Sequence, residues 1–342
     1  MRKSSIVVLS LLVLFLTSCG KEKVDTLTYA VFPYLPDAGY YQELIEQRWA
    51  ETEPDIKLVR AEWDCYTDEL PDDVDVLMYD AVMRDTLIEK GSIRPIEPNC
   101  ISDKDDIYAF ALDGLTVDGK LYGIPVFMCG NFLIYDTDCT DIADARHLTN
   151  IEGSGILVIN SDLPLNRTQY ACEVLADTLG DPDPKAAADE DVMMADIDRL
   201  AVDVHKRDED AQVVSAYDSG VGKGYIGFSE SMRLLDSRSN HTNIKSISFS
   251  DKDDIPRLYV DAVAINSKVN DGQRYDKCLE LMNIIADADV LTELSVQNGK
   301  PQYLLLARKS PYIVLVDRFP LYSRLDDLAS NENNNVITGP HP

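Results

Sequence analysis

Side chains with chemical capacity fall at the ends of apolar runs in this chain. Asp80 closes the run Val74–Tyr79, and Cys129 follows the segment Tyr122-Gly123-Ile124-Pro125. Glu230 follows Tyr225–Phe228, and Asp261 sits within the apolar stretch Arg257–Asn266. In open α/β sheets, ligands bind beyond the carboxyl ends of strands, so polar residues at predicted strand ends can converge on one cleft. A thiol and three carboxylates are groups that nucleophilic, proton-transfer or cation-binding chemistry can use. Tyr34, Tyr66 and Tyr259 supply aromatic walls suited to a flat heterocycle, and Asp64 in Trp63-Asp64-Cys65-Tyr66 is a fourth nearby carboxylate. Taken singly, a cysteine in an apolar segment is more often a core residue than a reactive one.

These groups need elements to position them. Thr26–Phe32 reads as a strand rich in β-branched and aromatic residues, and Ala38–Thr52 as a helix with Tyr41, Leu44, Ile45 and Trp49 on one face. Ile56–Trp63 and Val74–Tyr79 are further strands, the latter apolar throughout in the manner of a buried parallel strand. Lys120–Phe127 and Asn131–Tyr135 predict two extended segments with Cys129 between them. Gly155–Asn160 is a strand, and helical patterns cover Tyr170–Leu179 and Asp189–Val204. Tyr225–Phe228, Ile244–Phe249 and Arg257–Asn266 complete the strands, and helices are expected over Tyr275–Ala288 and near Leu291. The alternation of strands and helices argues for an α/β fold. The segment 331–342 is almost devoid of apolar residues and predicts a flexible tail.

Composition narrows the choice. The chain has 342 residues, too many for one small core and suited to two lobes. Its net charge of −28 sets it against nucleic acid and anionic lipid head groups, while a cationic small molecule is weakly favoured. Gly220–Gly224 lacks phosphate-loop spacing and reads as a turn. The acidic stretches 181–191 and 251–254 lack the calcium-loop pattern and read as solvated loops. Among the seven cysteines there is no CxxC pair and no histidine at ligand spacing, so no metal site and no cofactor are expected.

The first residues look like an export signal. Arg2 and Lys3 precede the apolar run Ile6–Leu16, too short to span a bilayer as a helix. Leu16-Thr17-Ser18-Cys19 resembles the bacterial lipobox, which implies a signal peptide over 1–18, a lipid anchor on Cys19 and a short tether over 19–25. The expected location is the bacterial cell envelope, with lipid attachment to the outer membrane as the chain's only membrane contact.

The whole set of segments resembles thiaminase I (thiamine pyridinylase). The resemblance rests on the spacing Phe32, Tyr66, Asp80 and Cys129, on Gly227-Phe228-Ser229-Glu230-Ser231-Met232, and on Tyr259–Lys268. It implies a two-lobed fold of the periplasmic-binding-protein type 2 kind, with the ligand cleft between lobes. Lobe 1 is then expected over 26–134 plus about 258–305, and lobe 2 over about 135–257 plus 306–330. It also implies Cys129 as nucleophile and Glu230 as general base. Tyr34, Tyr66, Asp80, Tyr259, Asp261 and Asp64 become candidates for binding substrate. The implied partners are thiamine or an analogue and a small nucleophile (an amine, pyridine or thiol), handled by a monomer. Phe32 and Phe228 stand where the family commonly has tyrosine, and the stretch between Asp136 and Tyr217 is shorter than the family norm. The alternative is a non-catalytic lipoprotein that captures thiamine or a pyrimidine for uptake, since most chains of this architecture bind and deliver.

Overall fold

The computed structural model describes residues 24–158, 195–202, 210–246 and 257–339. The expected signal peptide, Cys19, the helix over Tyr170–Leu179, Cys172 and the acidic stretches 181–191 and 251–254 lie outside the described residues. Two sheets carry the fold. The larger runs in the order Leu305–Leu306, Ile124–Cys129, Arg257–Asn266, Val76–Asp80, Thr26–Ala30, Lys57–Arg60. The smaller runs Ala201–Val202, Leu157–Val158, Gly224–Gly227, Phe132–Asp136, Thr242–Lys245. Each sheet centres one lobe.

Both sheets are mixed. In the larger one, Thr26–Ala30 pairs in parallel with Lys57–Arg60 and with Val76–Asp80. The strand Arg257–Asn266 runs antiparallel to Val76–Asp80 on one side and to Ile124–Cys129 on the other. All five residues of Val76–Asp80 are buried, as are nine of the ten in Arg257–Asn266. Strands enclosed on both faces carry apolar residues without alternation. This explains why these runs look alike in sequence although their pairings differ.

Helix Ala38–Thr52 begins where the Asp37 side chain accepts the Tyr40 amide, and it buries Tyr41, Leu44, Ile45 and Trp49. A short polar side chain at this position satisfies an amide that the helix itself cannot. Tyr41 donates to the Ile285 carbonyl at 2.5 Å, and Trp49 Nε1 to the Ile56 carbonyl at 2.8 Å. These bonds hold the helix against Gln273–Ile285 and against the loop behind the sheet. Under the same sheet, buried Asp75 accepts the Thr28 amide at 2.8 Å and receives both Nε and Nη2 of Arg274 at 2.7 Å.

Four expectations change. Cys129 lies within its strand rather than between two. The next strand begins at Phe132 and belongs to the smaller sheet, so the chain crosses between lobes at Gly130–Asn131 and not after residue 134. A Cβ on Gly130 would come to 3.0 Å from both the Arg257 carbonyl and Leu258 Cδ2, so a side chain there would crowd the crossing. Within the described part of the helical pattern Asp189–Val204, Ala195–Leu200 is a helix and Ala201–Val202 is instead a strand, because those two residues pair with Leu157–Val158. The expected flexible tail contains a strand: Asn335–Val336 runs parallel to Arg257–Leu258, and the Ile337 amide reaches the Leu258 carbonyl at 2.9 Å. The Gly220–Gly224 turn is a turn, with Gly220 and Gly222 at positive φ.

Candidate functional site

Three adjacent strands of the larger sheet bring the sequence's candidates together. Asp261 pairs directly with Asp80 across one strand boundary and with Phe127 across the other. Tyr259, two residues earlier and on the same face, pairs with Cys129. The register then shifts: Asp261 faces Phe127 but Ala262 faces Pro125, leaving Val126 as an extra residue. Such a bulge redirects the side chains that follow it. Here the residues after it, Phe127 and Cys129, share a cavity with Tyr259 and Asp261.

That cavity measures about 1170 Å³ and lies between the lobes. The larger sheet gives it Asp80, Cys129, Tyr259 and Asp261, and the loops beside it add Tyr34 and Tyr66. The smaller sheet contributes Glu230, on the 3-10 turn Ser229–Leu234 that follows strand Gly224–Gly227. Seven of the eight cleft candidates named from sequence therefore meet in one space. Asp64 does not line it. Its carboxylate accepts the Tyr34 hydroxyl at 2.7 Å and the Tyr66 amide at 2.9 Å, and so positions two residues that do.

The electrostatics follow from enclosure. Burial pushes the Cys129 thiol well above its ordinary range, and the nearby Glu230, Asp261 and Asp80 carboxylates push it further. Burial likewise raises the Asp261 carboxyl, with Asp80 and Glu230 adding to the effect. Tyr66 donates to Asp80 Oδ2 at 2.5 Å, while Asp80 Oδ1 accepts the Val82 amide at 2.9 Å. Burial first and the Asp80 charge second drive the Tyr66 phenol far upward, so it stays a proton donor. Asp64 shows the opposite balance. Burial opposes its ionisation, yet hydrogen bonds from Tyr34 and Tyr66 outweigh that and hold it below the usual carboxylate range.

The two phenylalanines complete the walls. Phe32 packs edge-on against Tyr34 at 5.4 Å and against Tyr66 at 6.1 Å, and Phe228 meets Tyr259 edge-on at 6.4 Å. The arrangement can therefore hold a flat cationic ring between aromatic surfaces above a floor of carboxylates and one thiol. Among the described residues no group of His, Cys, Asp and Glu is disposed to hold a metal ion. Sequence reasoning missed Arg233, Thr86 and Leu304, which also line the cavity. Arg233 stands three residues after Glu230, a spacing that has meaning only once the 3-10 turn is known.

Comparisons with known proteins agree with this geometry. No model of a protein family matches the chain. A curated relative, Thiaminase-1 of Paenibacillus thiaminolyticus, is 28% identical over 344 residues, which cover 91% of this chain and 83% of the relative. Among solved structures, Clostridium botulinum thiaminase I in complex with thiamin superposes with a TM-score of 0.83 at 28% identity, covering 92% of this chain and 94% of that one. Maltose-bound MalE3 of T. maritima matches with a TM-score of 0.63 at 14% identity over 93% of this chain and 90% of that one, which shows the shared two-lobed binding-protein fold alone.

Proposed function

We propose that this chain, a homologue of thiaminase I, is a transferase that cleaves thiamine by replacing its thiazole with a second nucleophile. The observation that carries the reading is the meeting of Cys129 from one lobe and Glu230 from the other in a single acidic cavity. Capturing a ligand for uptake needs neither group.

The chemistry follows from those surroundings. At rest the thiol keeps its proton, because burial and three carboxylates disfavour a thiolate. Thiamine is cationic, and its thiazolium entering beside Asp80, Asp261 and Glu230 offsets that unfavourable field. Glu230 then takes the Cys129 proton as the sulfur bonds to a carbon of the pyrimidine ring. The bond between the bridging methylene and the thiazole nitrogen breaks, and the thiazole leaves as a neutral ring with both electrons. The incoming amine, pyridine or thiol bonds to the methylene, the carbon–sulfur bond breaks with its electrons returning to sulfur, and Cys129 regains a proton. An amine or thiol nucleophile ends the cycle with one proton released to solvent. Tyr66-bound Asp80 and the buried Asp261 hold the aminopyrimidine and the cationic ring, between walls formed by Tyr34, Tyr66 and Tyr259. Attachment of the protein to the envelope through a lipid on Cys19 belongs to the same proposal.

The test uses purified protein, thiamine and aniline, followed by mass spectrometry. Free thiazole and a pyrimidine–aniline adduct are expected. Cys129→Ser is expected to end turnover while thiamine still binds by calorimetry. Intact thiamine bound by the unaltered protein would assign it to ligand capture instead.

A further inference from the structure

Arg233 is the only cation among the described residues lining the cavity, and we infer that it forms a subsite for an anionic group (phosphate, sulfonate or carboxylate) on a substrate. The inference rests on the reading of this cavity as a thiamine-cleaving site.

Acidic partners are abundant in this chain, which has 60 Asp and Glu against 32 Lys and Arg. Other arginines use them: Arg60 meets Glu46 at 2.6 Å, Arg274 meets Asp75 at 2.7 Å and Arg308 meets Asp106 at 3.6 Å. Among the described residues, no hydrogen bond or ion pair engages Arg233. An unengaged guanidinium facing a cavity retains all five donors, in a fork that matches oxyanions.

Its position defines what it can reach. On a 3-10 turn, side chains three residues apart eclipse, and they are separated by about 6 Å along the axis. Glu230 and Arg233 thus project from one side of Ser229–Leu234, and both reach the same cavity. Arg233 is exposed, beside Leu234 at 43% exposure, while Tyr34 at 63% lines the same cavity from the other lobe. These residues mark the mouth, and the buried Asp80 and Asp261 mark the floor. The cavity therefore runs from an anionic floor to a rim where Arg233 on one lobe stands across from the exposed Asp37 on the other.

A neutral tail at the rim has no use for the Arg233 charge. An anionic tail does, because the net charge of −28 repels it everywhere else. Two substrates could present one. With its pyrimidine at the floor, a thiamine phosphate ester directs its phosphate outward on the hydroxyethyl arm of the thiazole. The incoming nucleophile also enters through the mouth and could carry its own acidic group.

The experiment compares kcat/KM for the unaltered protein, Arg233→Ala and Arg233→Lys in two arms. One arm sets thiamine monophosphate against thiamine with aniline as nucleophile. The other sets 4-aminobenzenesulfonate against aniline with thiamine as acceptor. Arg233→Ala is expected to lower the anionic-to-neutral ratio by about tenfold, a typical loss for one charge-assisted contact, and Arg233→Lys to restore much of it. A change confined to the first arm assigns the subsite to the phosphate ester, and one confined to the second assigns it to the nucleophile. Ratios unchanged in both arms overturn the inference. Absence of turnover with thiamine and aniline marks failure of the functional reading instead. Calorimetric binding of thiamine monophosphate against thiamine, with and without Arg233, then decides the subsite alone.

Discussion

Asp80 and Asp261 are direct cross-strand partners in the centre of the larger sheet, only 4% and 8% exposed. Residues paired this way bring their Cα atoms within about 5 Å, and like charges there oppose folding. The two carboxyls differ in their partners. Asp80 receives Tyr66 and the Val82 amide, bonds that favour its charge, while burial and the Asp80 charge drive Asp261 toward its protonated form. On the proposed function, a cationic substrate entering beside the pair neutralises this field.

Asp261 should make stability depend on pH. Its folded pKa lies above the unfolded value of about 3.9, so the folded state holds a proton that the unfolded state gives up. The associated stability is complete below that unfolded value and is lost as pH rises through the folded one. Asp261→Asn removes the dependence. Its melting temperature should exceed that of the unaltered protein at pH 8 and converge with it near pH 4. Parallel curves across that range would refute the assignment.

Glu230→Gln should lower kcat with thiamine by 10²–10⁴-fold, the usual contribution of a positioned base. The remaining activity then depends on thiolate formed without help. Since the Cys129 thiol is pushed upward, its rate should climb nearly tenfold per pH unit from pH 6 to 9. The unaltered enzyme should respond more weakly over that interval. Stopped-flow or mass-spectrometric rates across pH measure both slopes.

Asp64→Ala should raise KM for thiamine more than it lowers kcat. The carboxylate lies outside the cavity wall but fixes Tyr34 through a 2.7 Å bond and Tyr66 through its amide. Tyr34→Phe removes the first of these bonds and should reproduce part of the effect. An equal fall in kcat with no change in KM would point to direct participation in bond making.

Asp75→Ala should cost about 1–3 kcal/mol, because it leaves the part-buried Thr28 amide without its partner and removes two charge-assisted bonds from the half-exposed Arg274. Denaturant unfolding reads this directly. The change sits behind the sheet, away from the cavity lining.

Deleting residues 331–342 should lower the melting temperature by at least about 2–4 °C, the shift expected for each kcal/mol in a chain of this kind. The deletion removes the Asn335–Val336 strand, the Ile337 bond to Leu258 and two bonds from Asn334 to the helix Tyr322–Ala329. An unchanged melting temperature would fit a frayed tail.

Sequence and structure agree closely where a local signal decides the element. Helix Ala38–Thr52 and strand Arg257–Asn266 run over the residues that their patterns predict, one capped by Asp37 and the other enclosed by two partners. The strand-end rule likewise brought out Asp80, Cys129 and Glu230. The rest depends on partners that a linear pattern cannot display. The extra residue Val126 arises from register between strands, Ala201–Val202 is a strand because Leu157–Val158 lies beside it, and Asn335–Val336, in a segment poor in apolar residues, finds the edge at Leu258. Asp64 follows Trp63 in a promising segment, but its loop turns the carboxylate toward Tyr34 and the Tyr66 amide instead of the cavity.

The crossing at Gly130–Asn131 places the proposed nucleophile, Cys129, beside the join between the two sheets. Cys129 is the last residue of its strand in one lobe, and the strand of the other lobe begins three residues later at Phe132. When one rigid body swings about such a point, displacement grows with distance from the pivot. Were the lobes to turn about this crossing, the sulfur would stay nearly still, while Glu230 and Arg233 would travel with Ser229–Leu234. Such a closure would act as a stroke that carries the proposed proton acceptor to its target, and opening would withdraw it.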